Sequence, residues 1–351
     1  MTRNVYIGAD IQRPVRATAG LTGNAALVAL GNANHELREI VDDTNFPVRA
    51  GLLAEEIART HPDLVGLQEV ALWRSGPVQL DQIGVPNAST VDYDYLAILL
   101  GKLAARGAHY VAAHEQTESD VEAPSFLGDP FVGTMSDASD QRLTTRDVIL
   151  KRVGSPVQVT GSGGSHYDAA LTLPIAGQPT SFVRGYNWVD AHAGGASFRF
   201  VNTHLEAFSS DIALAQADQL LVDLAALSPR TTIIACDCNS DPLDSSVKPF
   251  DTVSHKAPYE FIVGSGFTDQ WLQWAHAEEG WTSGLSETVD DSTADRFDHR
   301  IDMVFAQSST GSALPVVRAT VTGDEVSDRD PATGLWPSDH AGVLMKLRML
   351  R

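Results

Sequence analysis

Apolar positions along the chain recur with two periods. Leu64-Val65-Gly66-Leu67 runs apolar into Gln68-Glu69, Phe198 to Leu205 is aromatic and apolar around His204, and Thr232 to Cys236 runs into Asp237-Cys238-Asn239. Such short runs predict strands, as do Val5–Ile7, Val148–Leu150 and Arg300–Phe305. Helical spacing appears in Val48, Leu52, Leu53 and Ile57 after Pro47, with His61-Pro62 as a stop. It recurs in Leu96, Leu99, Leu100 and Leu103, ahead of a strand near Tyr110–Ala113. A third helix has Ile212, Leu214, Leu220, Leu221 and Leu224 on one side behind an Asp211 cap. Residues 10–45 read as a long Gly/Asn/Asp-rich connection with an apolar interruption at 25–30. Residues 115–145 read as an exposed loop, and 154–180 as a peripheral Gly/Ser-rich stretch. The alternation of strand, helix and loop predicts a mixed α/β sandwich.

The chain has 351 residues, 43% of them hydrophobic, enough for a large core. No linker, charge block or repeat divides it, so one domain over 1–351 is expected. The net charge is −20, from 45 acids against 25 bases, which repels polyanions at long range. A broad basic nucleic-acid groove is therefore not expected, whereas phosphate chemistry around a bound cation is compatible. Arg3, Arg13 and Arg16 offer a local phosphate grip. The two cysteines, Cys236 and Cys238, are too few for a disulfide framework or a zinc site and read as buried thiols. Strand alternation turns them to the core and puts Asp237 and Asn239 on the opposite face. No basic leader or membrane span is visible, so a soluble monomer is expected, cytoplasmic or secreted with its leader absent.

Candidate chemistry sits at the strand ends. Glu69 closes an otherwise apolar strand, which marks it as a ligand for a hard cation. Asp302 in Arg300-Ile301-Asp302 and the turn Ser338-Asp339-His340 pair a carboxylate with a histidine able to move a proton near neutral pH. The ordered series Gln68-Glu69, Asn202-Thr203-His204-Leu205-Glu206, Asp237-x-Asn239-Ser240, Arg300-Ile301-Asp302 and Ser338-Asp339-His340 resembles the endonuclease/exonuclease/phosphatase superfamily, the deoxyribonuclease I-like group. The resemblance runs from Asn4 to His340.

It implies a four-layer sandwich of two mixed sheets flanked by helices, and a metal-dependent phosphoesterase, most plausibly a phosphodiesterase using water. Asn4, Glu69 and Asp339 would hold Mg²⁺, with Mn²⁺ or Ca²⁺ as substitutes. Asp237 and Asn239 would orient water and hold phosphate. His204 and His340 would grip the phosphate from opposite sides, with Asp302 behind His340 and Asp147 behind His204. The residues flanking Asp237, usually Gly and Phe or Leu, are Cys236 and Cys238, which leaves the polar groups intact. Asp241 reads as a structural turn residue. Nucleic acid, phospholipid head group and small phosphodiester all stay open as substrates. So does a silent or redirected binding module. His204-Leu205-Glu206 lacks the P-C-x-x-C of zinc deaminases, and G-x-S-x-G, Walker A and G-x-G-x-x-G sequences are missing.

Overall fold

The computed structural model describes residues 1–175, 178–274, 278–309 and 313–349. Strand β1 spans Thr2–Asn4, so the expected strand at Val5–Ile7 begins and ends earlier. Residues 10–45 are not a loop: they form α1 (Arg13–Thr18) and the 21-residue α2 (Gly23–Asp43). Helix α3 (Phe46–Thr60) follows, with Asn45 accepting the Val48 N–H and His61 ending it in the left-handed conformation. Then come β2 (Leu64–Gln68), β3 (Leu72–Gly76), β4 (Thr90–Asp94) and α4 (Tyr95–Ala105), which Asp94 caps. The expected exposed loop at 115–145 is instead a long antiparallel arm of β5 (Tyr110–Leu127) and β6 (Ser136–Arg152).

The Gly/Ser-rich stretch supplies β7 (Gln158–His166), β8 (Leu171–Ile175) and β9 (Gln178–Phe182); residues 176 and 177 lie outside the described residues. Next are β10 (Gly185–Ala193), β11 (Ala196–His204) and α5 (Ser210–Ala226). Ser209, not Asp211, caps α5; Asp211 lies in the first turn and accepts from Thr252. The chain closes with β12 (Thr231–Asp237), α6 (Ala257–Gly264), β13 (Thr268–Asp269), β14 (Asp302–Gln307), β15 (Val316–Thr322) and β16 (Gly342–Leu347).

Two large mixed sheets flanked by helices result. The eight-stranded sheet runs β15-β16-β1-β2-β6-β3-β4 with β5 added beside β6, and the six-stranded sheet runs β13-β14-β12-β11-β10-β7. Their facing sides meet through Ile149, Val189, Phe198, Phe200, Ile233, Ala235 and Val304. The opposite face of β11 and β12 packs Val201, Ile234 and Cys236 on α5 and α6 through Ala213, Leu220 and Ile262. Strand parity thus turns Cys236 to the helices and Asp237 inward between the sheets. Gln68 Nε2 donates to Asn202 Oδ1 at 2.6 Å, and Asn202 Nδ2 to Leu67 O at 3.1 Å, tying the two sheets together. Among the described residues no helix is long and apolar enough to cross a membrane.

Candidate active site

Parallel pairing sets the site. β1 and β2 run parallel with Asn4 opposite Gln68, and β11 and β12 run parallel with His204 opposite Asp237. β14 starts antiparallel to β12 with Asp302 opposite Asp237. Both sheets therefore deliver polar strand ends to one edge. Tyr6 (φ 61), Glu69 (φ 60) and Asn239 (φ 44) follow β1, β2 and β12 in left-handed backbone. That conformation is costly for non-glycine residues and gathers at functional sites.

Asp237 is the hub. Asn4 Nδ2 donates to its Oδ2 at 2.9 Å across the sheets, and the Asn239 N–H donates to Oδ1 at 3.1 Å. His204 Nε2 lies 3.3 Å and His340 Nε2 3.8 Å from Oδ2. The other ring nitrogen of His340, Nδ1, is 2.8 Å from Asp302 Oδ2. Burial alone would lower the His340 pKa, but Asp302, Asp237 and Asp339 raise it well above the usual imidazole value. Burial, joined by Arg184 and His340, holds His204 well below it. The two imidazoles are thus split into a cation and a neutral base. Burial also raises Asp237 to about 7, against the pull of His340.

Asp237, Asp302 and His340 present ligand atoms within 4.8 Å of one another, a spacing that a metal ion could use. Yet the 2.8 Å contact of His340 Nδ1 with Asp302 already accommodates a proton.

Beside this hub opens a cleft of about 870 Å³. Glu69, Asp147, Arg184, His204 and Asp339 line it, with an apolar wall that includes Leu27, Leu30, Trp73 and Phe182. Glu69 Oε2 accepts the Ile7 N–H at 2.7 Å, and the Ser338 hydroxyl lies 3.3 Å from Asp339 Oδ1. Burial raises Asp339 to about 6, His340 opposes, and the Glu69 charge adds to the rise. Two carboxylates that repel each other at a cleft wall form a hard oxygen donor set suited to Mg²⁺, Mn²⁺ or Ca²⁺.

No family model matches the sequence, and no curated protein matches it. Solved structures do. An endonuclease/exonuclease/phosphatase family protein from Leptotrichia buccalis C-1013-b aligns with a TM-score of 0.53 at 16% identity, over 87% of this chain and 94% of that one. The chain has the endonuclease/exonuclease/phosphatase fold. A mannosyl-6-phosphatase from Bacteroides thetaiotaomicron VPI-5482 aligns at 0.52 and 16% identity, over 91% and 96% of the two chains. A humanized D. rerio TDP2 aligns at 0.50 and 18% identity, over 87% and 93%. At these identities the likeness speaks for the deoxyribonuclease I-like sandwich alone.

Within that fold the structure brings Asn4, His204, Asp237, Asn239, Asp302 and His340 into one cluster, with Glu69 and Asp339 at the adjoining cleft. Asn4 has both amide ends engaged, Oδ1 accepting the Tyr6 N–H at 2.8 Å and Nδ2 facing Asp237, so it is a brace for Asp237. Asp147 does not back His204: its Oδ2 is buried without a partner, and the His204 ring is taken by Arg184 Nη1, at 2.6 Å from Nδ1 and 2.9 Å from Nε2. The arginine grip is also corrected. Arg3 is fully buried on Glu56 and the His340 carbonyl, Arg13 binds Glu36 and Glu287, and Arg16 binds Asp10. Cys236 and Cys238 are buried as expected but are joined to each other in a disulfide that brackets Asp237. Arg300 pairs with Asp269 at 2.8 Å, leaving Asp302 to His340. Asp241 accepts the Leu243 and Arg300 N–H groups, a turn role.

Sequence reasoning missed Arg184, Thr282 and Arg49. Thr282 Oγ1 takes the Asp302 N–H at 3.1 Å. The fully buried Arg49 donates to the Thr44, Val5, Tyr6 and Pro337 carbonyls, lashing the first motif to the last. No spacing signal marks these residues. For Arg184 the only pointer is register, since β10 pairs with β11.

Proposed function

We propose that the chain is a divalent-cation-dependent hydrolase of phosphoric esters, with phosphodiesters as its preferred substrates. The observation that carries this reading is the Asp237 hub, where one carboxylate meets an amide brace and two imidazole rings. Glu69 and Asp339 would hold the cation; when bound, it neutralises charge on the phosphoryl oxygens and favours hydroxide over water.

Asp237, aligned by Asn4 and the Asn239 N–H, orients the attacking water and accepts its proton. Asp302 holds the His340 ring and its charge, so His340 binds a non-bridging oxygen as an imidazolium. His204, neutral and backed by Arg184, faces the same oxygens from the other side. Asn239 spends one amide hydrogen on Leu205 O, 3.0 Å from Nδ2, and keeps the second for phosphate. Asp147, which takes the Glu69 backbone N–H and leaves Oδ2 without a hydrogen bond, remains with the catalytic set in the cleft.

The test is a substrate panel of plasmid DNA, RNA, sphingomyelin and bis-p-nitrophenyl phosphate, assayed with Mg²⁺, Mn²⁺ and EDTA. Cleavage of at least one, abolished by EDTA, is expected. Glu69→Gln should raise the cation concentration needed for half-maximal rate on the order of 10-fold or more with little change in Tm. Wild-type rates in Glu69→Gln at low Mn²⁺ would remove Glu69 from the cation site.

A further inference from the structure

One wall of the cleft carries more buried acidic oxygens than its neighbours hydrogen-bond. Glu118 lies where the β5–β6 ladder shifts register between Thr117 and Asp120, a bulge that re-aims its side chain. The bulge is rigid: Ser119 Oγ bonds the Val183 N–H at 2.7 Å and the Val183 carbonyl at 3.1 Å, and Thr145 Oγ1 takes the Ser119 N–H at 3.0 Å. The Glu118 carboxylate rests over Gly185, where a Cβ would fall 2.7 Å from Oε2. The site is built to hold that side chain in place.

Glu118 is 9% exposed, yet both of its oxygens lack a hydrogen-bond partner. His166 Nε2 comes within 3.6 Å but bonds the Thr117 carbonyl at 2.6 Å. Asp147 Oδ2 and Glu206 Oε2, on the same cleft, are likewise buried without a hydrogen bond. The cation set among them is Arg184, 3.8 Å from Glu206 and already against His204. Burial, with Asp147 adding, raises Glu118 to about 9. Unpaired buried carboxylates are costly, and a cationic ligand would offset that cost.

We propose that Glu118, with Asp147 and Glu206, forms a subsite for an ammonium group carried by the phosphoester substrate. Among the described residues these carboxylates do not converge as three ligand atoms on one point, so a compact metal ion fits them poorly. A diffuse organic cation touches several walls at once, and the aromatic Phe182 lines the same cleft. The phosphate would then sit at Asp237 and His340, with the ammonium farther along the cleft. The inference rests on the hydrolase reading for its substrate and narrows that reading to zwitterionic phosphoesters.

The experiment compares wild type, Glu118→Gln and Glu118→Asp on two p-nitrophenyl phosphodiesters that differ in charge: the choline ester and its neutral 3,3-dimethylbutyl isostere. With Mg²⁺ present, kcat/KM should favour the choline ester on the order of tenfold, the scale of one charge-assisted contact. That preference should vanish in Glu118→Gln and survive in part in Glu118→Asp, with Tm measured on each preparation. No preference in wild type, or an undiminished one in folded Glu118→Gln, overturns the proposal. If wild type cleaves neither ester, the hydrolase reading is decided by the wider substrate panel, and calorimetry with choline chloride decides the subsite. Choline binding that is lost in Glu118→Gln supports it; no binding to wild type overturns it. Mn²⁺ bound at this wall in place of choline, and lost in Glu118→Gln, overturns it too.

Discussion

His340 owes its charge to neighbours rather than to exposure. Asp302 lies 2.8 Å from Nδ1, is itself buried, and has its backbone held by Thr282, so the pair acts as one unit. Asp302→Asn and His340→Ala should each lower kcat on the order of 10²-fold, and the double variant should be little worse than either. Multiplicative losses in a double-mutant cycle would separate the two residues. The pH dependence has a definite sign. Activity that needs the imidazolium is lost as pH rises through the raised His340 pKa, so Asp302→Asn should move the alkaline limb of the rate profile to lower pH. The same raised pKa adds stability below the unfolded value of about 6.5, and that stability fades as pH climbs through the folded value. A rate profile unchanged by Asp302→Asn, together with a lowered Tm, would make Asp302 a purely structural carboxylate.

Helix α2 shows how an element can be hidden by its own composition. Its buried face steps through Ala26, Leu30, Ala33, Leu37 and Val41, a helical period, but Gly and Asn fill the positions between. Those residues serve packing rather than flexibility. Asn32 and Asn34 donate to the Gly128, Ala123 and Pro124 carbonyls of the β5–β6 arm. Gly31 lies under the buried Phe126 ring, where a Cβ would fall 2.2 Å from the nearest ring atom. Gly31→Ala should therefore destabilise by about 1–3 kcal/mol despite its better helix propensity, which denaturant melts would measure. A stabilised variant would mean that the ring yields easily. The arm itself was hidden in another way: β5 mixes buried, half-buried and exposed positions and places Glu and Ser among the buried ones, so it lacks the apolar run that betrays a buried strand. By contrast β2, β11, β12 and β14 were legible because each is buried on both faces and carries a polar motif at one end. The site was legible for the same reason, up to His204. The Arg184 backing comes from the short link between β9 and β10, and short-range pattern does not report what that link faces.

At the scale of the whole molecule, part of the acidic excess behind the net charge of −20 is buried. Burial lifts Asp339 to about 6, Asp237 to about 7 and Asp147 to about 8. For an acid whose folded pKa is raised, folding takes up protons, so stability falls as pH rises from near 4 through those values. Protein freed of divalent cations should lose Tm steadily between about pH 5 and 8, and Mg²⁺ should restore most of the loss above pH 7. A flat pH profile in EDTA would mean that the carboxylates are better compensated than their surroundings suggest. The sheet order carries one more consequence, for the time course of biosynthesis. β1 lies between β2 and β16, with Thr2 opposite Val343, and the site needs both Asn4 and His340. A chain emerging from the ribosome keeps one edge of β1 open until the residues of β16 have been made. Such non-local pairing makes for slow folding and exposes a sticky strand edge meanwhile. Helical signal should accordingly rise before activity when the denatured protein is refolded, and a nascent chain arrested before β16 should depend on a chaperone to stay soluble.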